Sequence, residues 1–558
     1  MGKAADIFQE DGLYFVPLGG SEQFGVNMNA YVCDGDMLVV DCGLGFADER
    51  FPGIDLLLPD PEFVEEHRDE LKGIIITHAH EDHIGAMPYL WERLQCPVYA
   101  SPFTAAVLHQ KFKDKNLNVK INVIQPNEST QIGKFEALFV PVSHSVPDTC
   151  SIIVKTDKGQ VVHSGDWNLD PSPVTGSPTN DELFKQAGKE GVLAYIGDST
   201  NAEVNGRSGS EADVAKGLEA EFKKCKGKIG VTIFSSNIGR IISVAKAAQA
   251  CDRSVCVIGR SLHRMIGCAR ECGLLNDIPD FISEDDLGYL PDESVVVIMT
   301  GSQGEYRAAL AKVSRGDFRG LKFNPGDTVI FSARAIPGNE TQINTVKNNL
   351  SAGKVNVITP RDTKNIIHVS GHPCRDEIAE MFQWVRPQVV VPVHGERLQL
   401  DAHAEFANDC QVPSTLVPSN GSVIRLAPGK PAVIDHIETS VLAVDQKRLI
   451  KSTHQSIAAR RKLQYTGTVH VSLAIDARGE LLGNVKLETV GLVDLENAGE
   501  EQIEDNLEKE VLDILDDMTW EDRLDDHFIE EELRIGVRRF CDHLLGIKPK
   551  TNVHVLRV

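Results

Sequence analysis

The sequence predicts an α/β protein: two facing β-sheets with helices outside, interrupted by a parallel α/β module and followed by a small α+β unit. Three observations predict it. The first two hundred residues carry many short apolar runs with few long helical stretches, as a sheet sandwich requires. From about residue 209, helical and strand patterns alternate, as in a parallel α/β unit. Residues with metal-binding chemistry occur on both sides of that alternating stretch, so the module is inserted into another domain.

The runs YFVPLG, AYVCDG, MLVVDCG, GIIITH, CPVYAS, FEALFVPVSH, CSIIVKT, QVVHSGD and VLAYIGD are β-branched or aromatic stretches bounded by turn residues. They define a first domain part over 1–208. EADVAKGLEAEFKKC, KIGVTIFSS, IGRIISVAKAAQAC, SVCVIG and LHRMIGCARECGLL then alternate helix and strand, and this rhythm marks the module as 209–364. Strand-like runs return in IIHVSGH and VVVPVHGE, giving a second part of the first domain over 365–433. Residues 434–455 read as a linker. The C-terminal domain, 456–558, shows two or three strands, the acidic helical stretch LENAGEEQIEDNLEKEVLDILDDM, a second helix and a last strand, TNVHVLRV.

At 558 residues the chain is too long for one core. No run approaches the roughly 20 apolar residues that span a bilayer. The first residues lack the basic and apolar segments of a signal peptide, and Asp6 stands where myristoylation wants Ser or Thr, so a cytoplasmic protein is expected. Twelve scattered cysteines form no C-x-x-C pair, which excludes a disulfide framework or zinc ribbon. The net charge of −24 excludes a surface that is basic all over. The charge is uneven: 207–364 carry a positive excess of about four, while 456–558 are about nine negative. An acidic protein binds a polyanion only in a locally basic groove or at metal ions.

Directly after Ile74, Ile75 and Ile76 comes THAHEDHIGA, which holds His78, His80, Asp82 and His83 as H-x-H-x-D-H. A lone histidine after a strand is usually an ordinary hydrogen-bonded residue. Four coordinating side chains in six positions are different, because burying them without an ion leaves them unsatisfied or mutually repelling. Imidazoles with a carboxylate suit Zn²⁺, with Mn²⁺ or Mg²⁺ as alternatives. His78 and His80 can grip one ion; Asp82 and His83, on the next turn, can grip a second. Six residues cannot complete two shells. His144, Asp166 and His394 each end a predicted strand and are the candidates to finish them, with Asp166 placed to bridge. Two divalent ions so held would activate a water and neutralise phosphoryl oxygens, with Asp82 also a proton acceptor.

These motifs resemble the metallo-β-lactamase superfamily: THAHEDHIGA is similar to its signature loop, with SHS at 143–145 and SGD at 164–166 in order. Asp41 in VVDCG matches the family's strand-end Asp that supports this loop. The inserted module, with GDST at 197–200, SGH at 370–372 and PVHGE at 392–396, resembles the β-CASP subgroup, and within it the ribonuclease J family. GKEGVLAYIGDSTNAE, FSSNIGR, VIGRS, TGSQGE, NPGDTVIFS, IPGNE, HVSGH and HGE carry that likeness from about residue 14 to 430. GGSEQFGVN departs from the family's glycine-rich phrase. Arg334 stands where a small residue is common and adds a candidate phosphate contact. The C-terminal unit lacks the family's glycine- and serine-rich phrase.

The resemblance implies 5′-to-3′ exonuclease action on single-stranded RNA with a 5′-monophosphate preference and some endonuclease action, in RNA maturation and mRNA decay. It also implies His372 as the group that protonates the leaving oxygen. Asp198 would orient it, unless it is a turn or cap residue. His394 favours RNA, since DNA-repair members commonly carry an aliphatic residue there. A pocket for the terminal phosphate is expected from His368, Val369, Ser370, Gly371 and His372, with Ser235, Ser236 and Asn237, although Ser-Ser-Asn outside this setting is more often a plain turn. Arg240, Arg260, Arg264 and Arg334 are candidate strand-groove contacts. A homodimer or homotetramer is expected, and any RNA-degradation partner is unspecified. A thioesterase or lactonase on the same core, and a non-catalytic scaffold, are the competing readings.

Overall fold

A computed structural model describes residues 7–336, 338–492 and 501–558. Two compact units are resolved within the chain, residues 1–46 with 57–441 and residues 47–56 with 442–558.

In the first unit, strands Leu13–Gly19, Met28–Cys33, Asp36–Val40, Leu71–Ile76, Val98–Ala100, Ile121–Val123, Ser422–Ala427 and Ala432–His436 form one eight-stranded sheet. Six strands form the other: Ser129–Ile132, Phe135–Pro141, Cys150–Thr156, Gly159–His163, Val192–Asp198 and Pro387–Val393. Inward side chains of both sheets share one core, with Phe15, Tyr31, Val40 and Ile75 against Phe139, Ile152, Ala194 and Val391. On the outer face of the six-stranded sheet, helices Asp181–Glu190, Arg375–Val385 and Arg397–Asp409 cover a second cluster around Trp167 and Tyr195. This is the expected sandwich with helices outside.

Leu71–Ile76 pairs in parallel with both neighbours, Asp36–Val40 and Val98–Ala100. Burial on both faces explains its continuous isoleucine run, and each such side chain contributes about 1.5–3 kcal/mol. The strands ending near Val40, Ile76, His163, Asp198 and Val393 therefore form a rigid platform for the loops beyond their carboxyl ends.

Strands Ile229–Thr232, Ser254–Ile258, Val295–Met299, Thr328–Phe331 and Asn356–Ile358 build a wholly parallel five-stranded sheet, as the alternating pattern predicts. IIHVSGH differs from expectation. Residues 366–372 form no strand, because their backbone is claimed by side chains: Ser332 Oγ donates to the Ile367 carbonyl at 2.6 Å and Asn168 Nδ2 to the Ser370 carbonyl at 3.1 Å. Of the segment 434–455, residues up to His436 complete a sheet strand, and Val441–Asp445 pairs with Arg448–Lys451 as a hairpin.

In the second unit, Thr468–Ile475 lies between antiparallel Lys486–Val490 and parallel Lys550–Arg557. Helices Glu501–Asp517 and Asp526–Leu545 pack Leu507, Val511, Ile529 and Leu533 onto that sheet. The acidic residues of the first helix lie around this apolar stripe; residues 495–500 of the predicted stretch lie outside the described residues. No helix among the described residues is long and apolar enough to cross a membrane.

Candidate metal centre and anion pocket

His78, His80, His144 and Asp166 bring ligand atoms within 4.8 Å of one another, and so do Asp82, His83, Asp166 and His394. All seven residues expected from the sequence thus converge as two four-residue clusters that share Asp166. A third grouping, Asp166, Asp198, His372 and His394, adjoins them.

The outer face of the histidine rings sets which nitrogen points inward. His144 Nδ1 lies 2.7 Å from the Gly371 carbonyl, which only accepts, so Nδ1 carries the proton and Nε2 is bare. Thr77 Oγ1 donates to Asp41, leaving its lone pair for His78 Nδ1 at 3.0 Å, so His78 Nε2 is bare too. Both bare nitrogens lie 3.1 Å from the same atom, His80 Nδ1. One proton on His80 could serve only one of them, whereas a cation would serve all three. In the second cluster His83 Nδ1 meets Asp41 Oδ2 at 2.7 Å, and His394 Nδ1 meets Asn27 Oδ1 at 3.1 Å, again turning Nε2 inward. Outer partners of this kind orient metal-binding histidines.

The electrostatics fit a bound cation. Burial pushes His78 and His80 well below the ordinary histidine range and lowers His144 to about 4, leaving neutral rings with free lone pairs. Burial also opposes ionisation of Asp166, but the surrounding His394, His83, His372 and His78 outweigh it and hold the carboxyl well below its usual range. At His83 burial is outweighed by Asp166, Asp82 and Asp41, which draw the ring upward, as at a place short of positive charge. Asp166 Oδ1 is buried with no hydrogen-bond partner among the described residues. That oxygen, 3.3 Å from His83 Nε2 and set between two groups of inward nitrogens, completes a donor set that fits divalent metal.

Backbone geometry shows how the loops were forced together. Asp41 and His394 have φ of 66° and 55°, a left-handed conformation that non-glycine residues adopt at a cost. Gly43 packs where a Cβ would lie 1.5 Å from the Asp82 carbonyl oxygen. At Gly371 a Cβ would lie 2.7 Å from His144 Cε1, so this glycine is set by close approach to a ligand ring.

His372 Nδ1 lies 2.8 Å from Asp198 Oδ2, while Asp198 Oδ1 accepts from Thr200 N and Oγ1. Asp198 therefore both caps a turn and holds the imidazole. Burial disfavours a charged His372, yet Asp198 and Asp166 raise it to about 9.

An open pocket beside His144 is lined among others by Asn168, Asp170, Glu211, Asn237, Ser370 and Gly371. Ser370 Oγ accepts from Asn201 Nδ2 at 2.8 Å, and the same amide donates to the His372 carbonyl. Asn237 Oδ1 accepts from Arg240 N at 2.7 Å and caps the helix Ile238–Gln249. Ser235 and Ser236 form the half-buried turn before that helix and do not line this pocket. Val369 packs at Gly209, and His368 Nδ1 lies 3.3 Å from Arg240 Nη1.

The expected arginines divide. Arg240 is fully buried and bound to Glu211, so it is not a strand-groove contact. Arg264 pairs with Asp114 at 2.9 Å, and Arg260 is exposed. Arg334 is exposed, with Nη1 donating to Asn201 Oδ1 at 3.1 Å, beside the 368–372 loop. Sequence reasoning missed Asn27 and Asn201. Asn27 Nδ2 also donates to the Asp82 carbonyl at 2.9 Å. Its signal was a polar residue between Val26 and Met28, at the end of the atypical GGSEQFGVN phrase.

Comparison with known proteins adds family evidence. Family models match as a beta-lactamase superfamily domain over 37–178, a ribonuclease J beta-CASP domain over 226–350, a Zn-dependent metallo-hydrolase RNA specificity domain over 358–413 and a ribonuclease J C-terminal domain over 455–558. Ribonuclease J of Sinorhizobium meliloti is 42% identical over 559 residues, 99% of each chain. The chain belongs to the ribonuclease J family. Ribonuclease J of Mycolicibacterium smegmatis is 37% identical over 438 residues, 78% of each chain. A crystal structure of an Enterococcus faecalis protein of unknown function matches in fold, with TM-score 0.54 and 15% identity over 74% of this chain and all of that one. Kinship with ribonuclease J extends past the expected limit near 430. The acidic C-terminal unit belongs to the family as well, since the ribonuclease J C-terminal model matches 455–558 and the 42% identity spans 99% of the chain.

Proposed function

We propose that this chain is a two-metal ribonuclease that degrades single-stranded RNA from its 5′ end, prefers a 5′-monophosphate, retains some endonuclease action, and serves RNA maturation and mRNA decay. The observation that carries the reading is the pair of ligand clusters sharing Asp166, with the Ser370–Gly371 pocket directly against His144. The family models and the ribonuclease J relatives support RNA as the substrate.

His78, His80, His144 and Asp166 would hold one ion and Asp82, His83, Asp166 and His394 the other, Zn²⁺ suiting the donor set and Mn²⁺ or Mg²⁺ serving as alternatives. When bound, such ions acidify water and neutralise phosphoryl oxygens. Asp82 is a third exposed at its side chain, so it can accept the proton of the attacking water and pass it to solvent. His372 holds a proton below about pH 9, and Asp198 keeps its Nδ1 occupied, so Nε2–H is the donor to the leaving oxygen. Asn201 and Asn168 fix Ser370 so that its loop can take the terminal phosphate. Arg334 adds charge nearby. The acidic C-terminal unit serves assembly into a homodimer or homotetramer in the cytoplasm.

The test is cleavage of 5′-monophosphorylated, triphosphorylated and hydroxyl-ended RNAs by wild type and His78→Ala. Wild type is expected to cut the monophosphate fastest. Equal cleavage by both proteins would dismiss the reading.

A further inference from the structure

Arg240 is a charged side chain at 1% exposure, buried in the module that abuts the pocket. Its Nη2 and Nε meet Glu211 Oε1 and Oε2 at 2.6 and 3.0 Å, a bidentate clamp. Its Nη1 donates to the Ser332 carbonyl and Oγ, both at 2.7 Å, and approaches His368 Nδ1 at 3.3 Å. A buried ion pair is a poor source of stability compared with apolar packing, so its use here calls for another account.

The account lies in proton inventory. A guanidinium has donors only. The His368 nitrogen facing it must therefore offer a lone pair, and the single proton of a neutral imidazole must sit on Nε2. Burial, with Arg240 and Arg334 close by, lowers His368 to about 3, so the ring is neutral at any working pH. Nε2 has no protein hydrogen-bond partner among the described residues, and the residue, though largely enclosed, keeps some exposure to solvent. That leaves a fixed N–H donor with nothing among the described residues to receive it.

We propose that Arg240, clamped by Glu211, is a positioning residue that holds His368 as the Nε2–H tautomer and so makes the ring an oriented donor to the substrate's 5′-terminal phosphate. The phosphate half of this statement rests on the function proposed above; the tautomer half does not. Arg240 itself, at 1% exposure, meets the ring at its Nδ1 edge and touches no substrate.

The experiment uses the full-length, metal-loaded protein with isotope-labelled histidine, His368 being assigned by loss of its signal in His368→Gln. Ring nitrogen and carbon shifts distinguish the two tautomers and the imidazolium. The expected wild-type spectrum is Nε2–H from pH 6 to 8. An Nδ1–H or charged ring would overturn the proposal, and needs no variant to show it. Replacing both members of the clamp, Arg240→Met with Glu211→Met, avoids leaving a lone buried charge. It is expected to mix the tautomers and to lower kcat/KM for 5′-monophosphorylated RNA by about tenfold more than for hydroxyl-ended RNA. A folded double variant with wild-type spectrum and end preference would also overturn it. Wild type that cuts no RNA would sink the ribonuclease reading and the phosphate role with it, while the spectrum would still judge the tautomer.

Discussion

The loop 78–83 and the loop 368–372 face the same site and are built in opposite ways. The first concentrates four ligand side chains in six residues, His78 and His80 in the turn after a buried strand and Asp82 and His83 on the short helix Glu81–Ile84. The second is irregular chain whose shape is imposed by Asn201, Asn168, Ser332 and Arg240. A cation needs side-chain lone pairs, and side chains are written in the sequence one by one. An anion needs backbone and small donors held still, and what holds them lies 35 to 202 residues away in the chain. The contrast predicts that damage to the first loop removes metal and chemistry together, whereas damage to the second changes what is bound and how.

The largest effect is expected at the residue both clusters share. Asp166→Asn keeps the shape but withdraws the charge between the two sets of nitrogens. It should lower RNA cleavage at least about a thousandfold and reduce bound metal as measured by elemental analysis of dialysed protein. Full metal content with full activity would contradict the shared-ligand assignment.

His372→Gln separates chemistry from metal. It should lower kcat by about 10²–10⁴-fold with metal content unchanged. Because Asp198 and Asp166 raise His372 to about 9 despite its burial, the ring is a proton donor below that pH and loses the role above it. The wild-type rate should therefore fall as pH rises through about 9, and the residual rate of the variant should not show that limb.

How much of this was readable follows the same division. H-x-H-x-D-H, with His144, Asp166 and His394 at strand ends, was visible because liganding residues are rare at such places without reason. His368 and Ser370 were visible only through family likeness. Arg240 was misjudged as a surface contact, since nothing local in IGRIISVAK says that Glu211 lies opposite. IIHVSGH was misjudged as strand-like, because its apolar alternation is genuine and its hydrogen bonds are taken by distant side chains. The parallel sheet of the module was easier: its strands are short apolar runs bounded by helices, and their order is the only part the pattern leaves unstated.

Gly371→Ala tests the contact between the two loops. The added methyl would lie 2.7 Å from His144 Cε1 and 2.9 Å from Nδ1, and both sit on a ring held by the Gly371 carbonyl. Moving that carbonyl or the ring disturbs a ligand's outer hydrogen bond, for which about a 10–100-fold loss of metal affinity is expected. Chelator competition reads it. Unchanged affinity would mean that the second loop does not support the first.

The smallest effect lies away from both loops and concerns stability. Burial lowers His403 to about 4, and its Nε2 is buried without a partner, while Ser199 Oγ meets Nδ1 at 3.0 Å. The unfolded chain takes up a proton here near pH 6.5, whereas the folded chain resists doing so until about 4. Stability is thus fully present above 6.5 and declines as pH falls from 6.5 towards 4, by about 1.4 kcal/mol per unit for this one group. His403→Gln cannot bind that proton, so its urea-unfolding free energy, measured with chelator present, should fall less steeply between pH 6.5 and 4 than that of wild type. RNA cleavage at neutral pH should be unchanged. Parallel slopes for the two proteins would show that His403 protonates in the folded chain as readily as in the unfolded one, and that its burial is looser than the packing around Tyr195 and Phe382 implies.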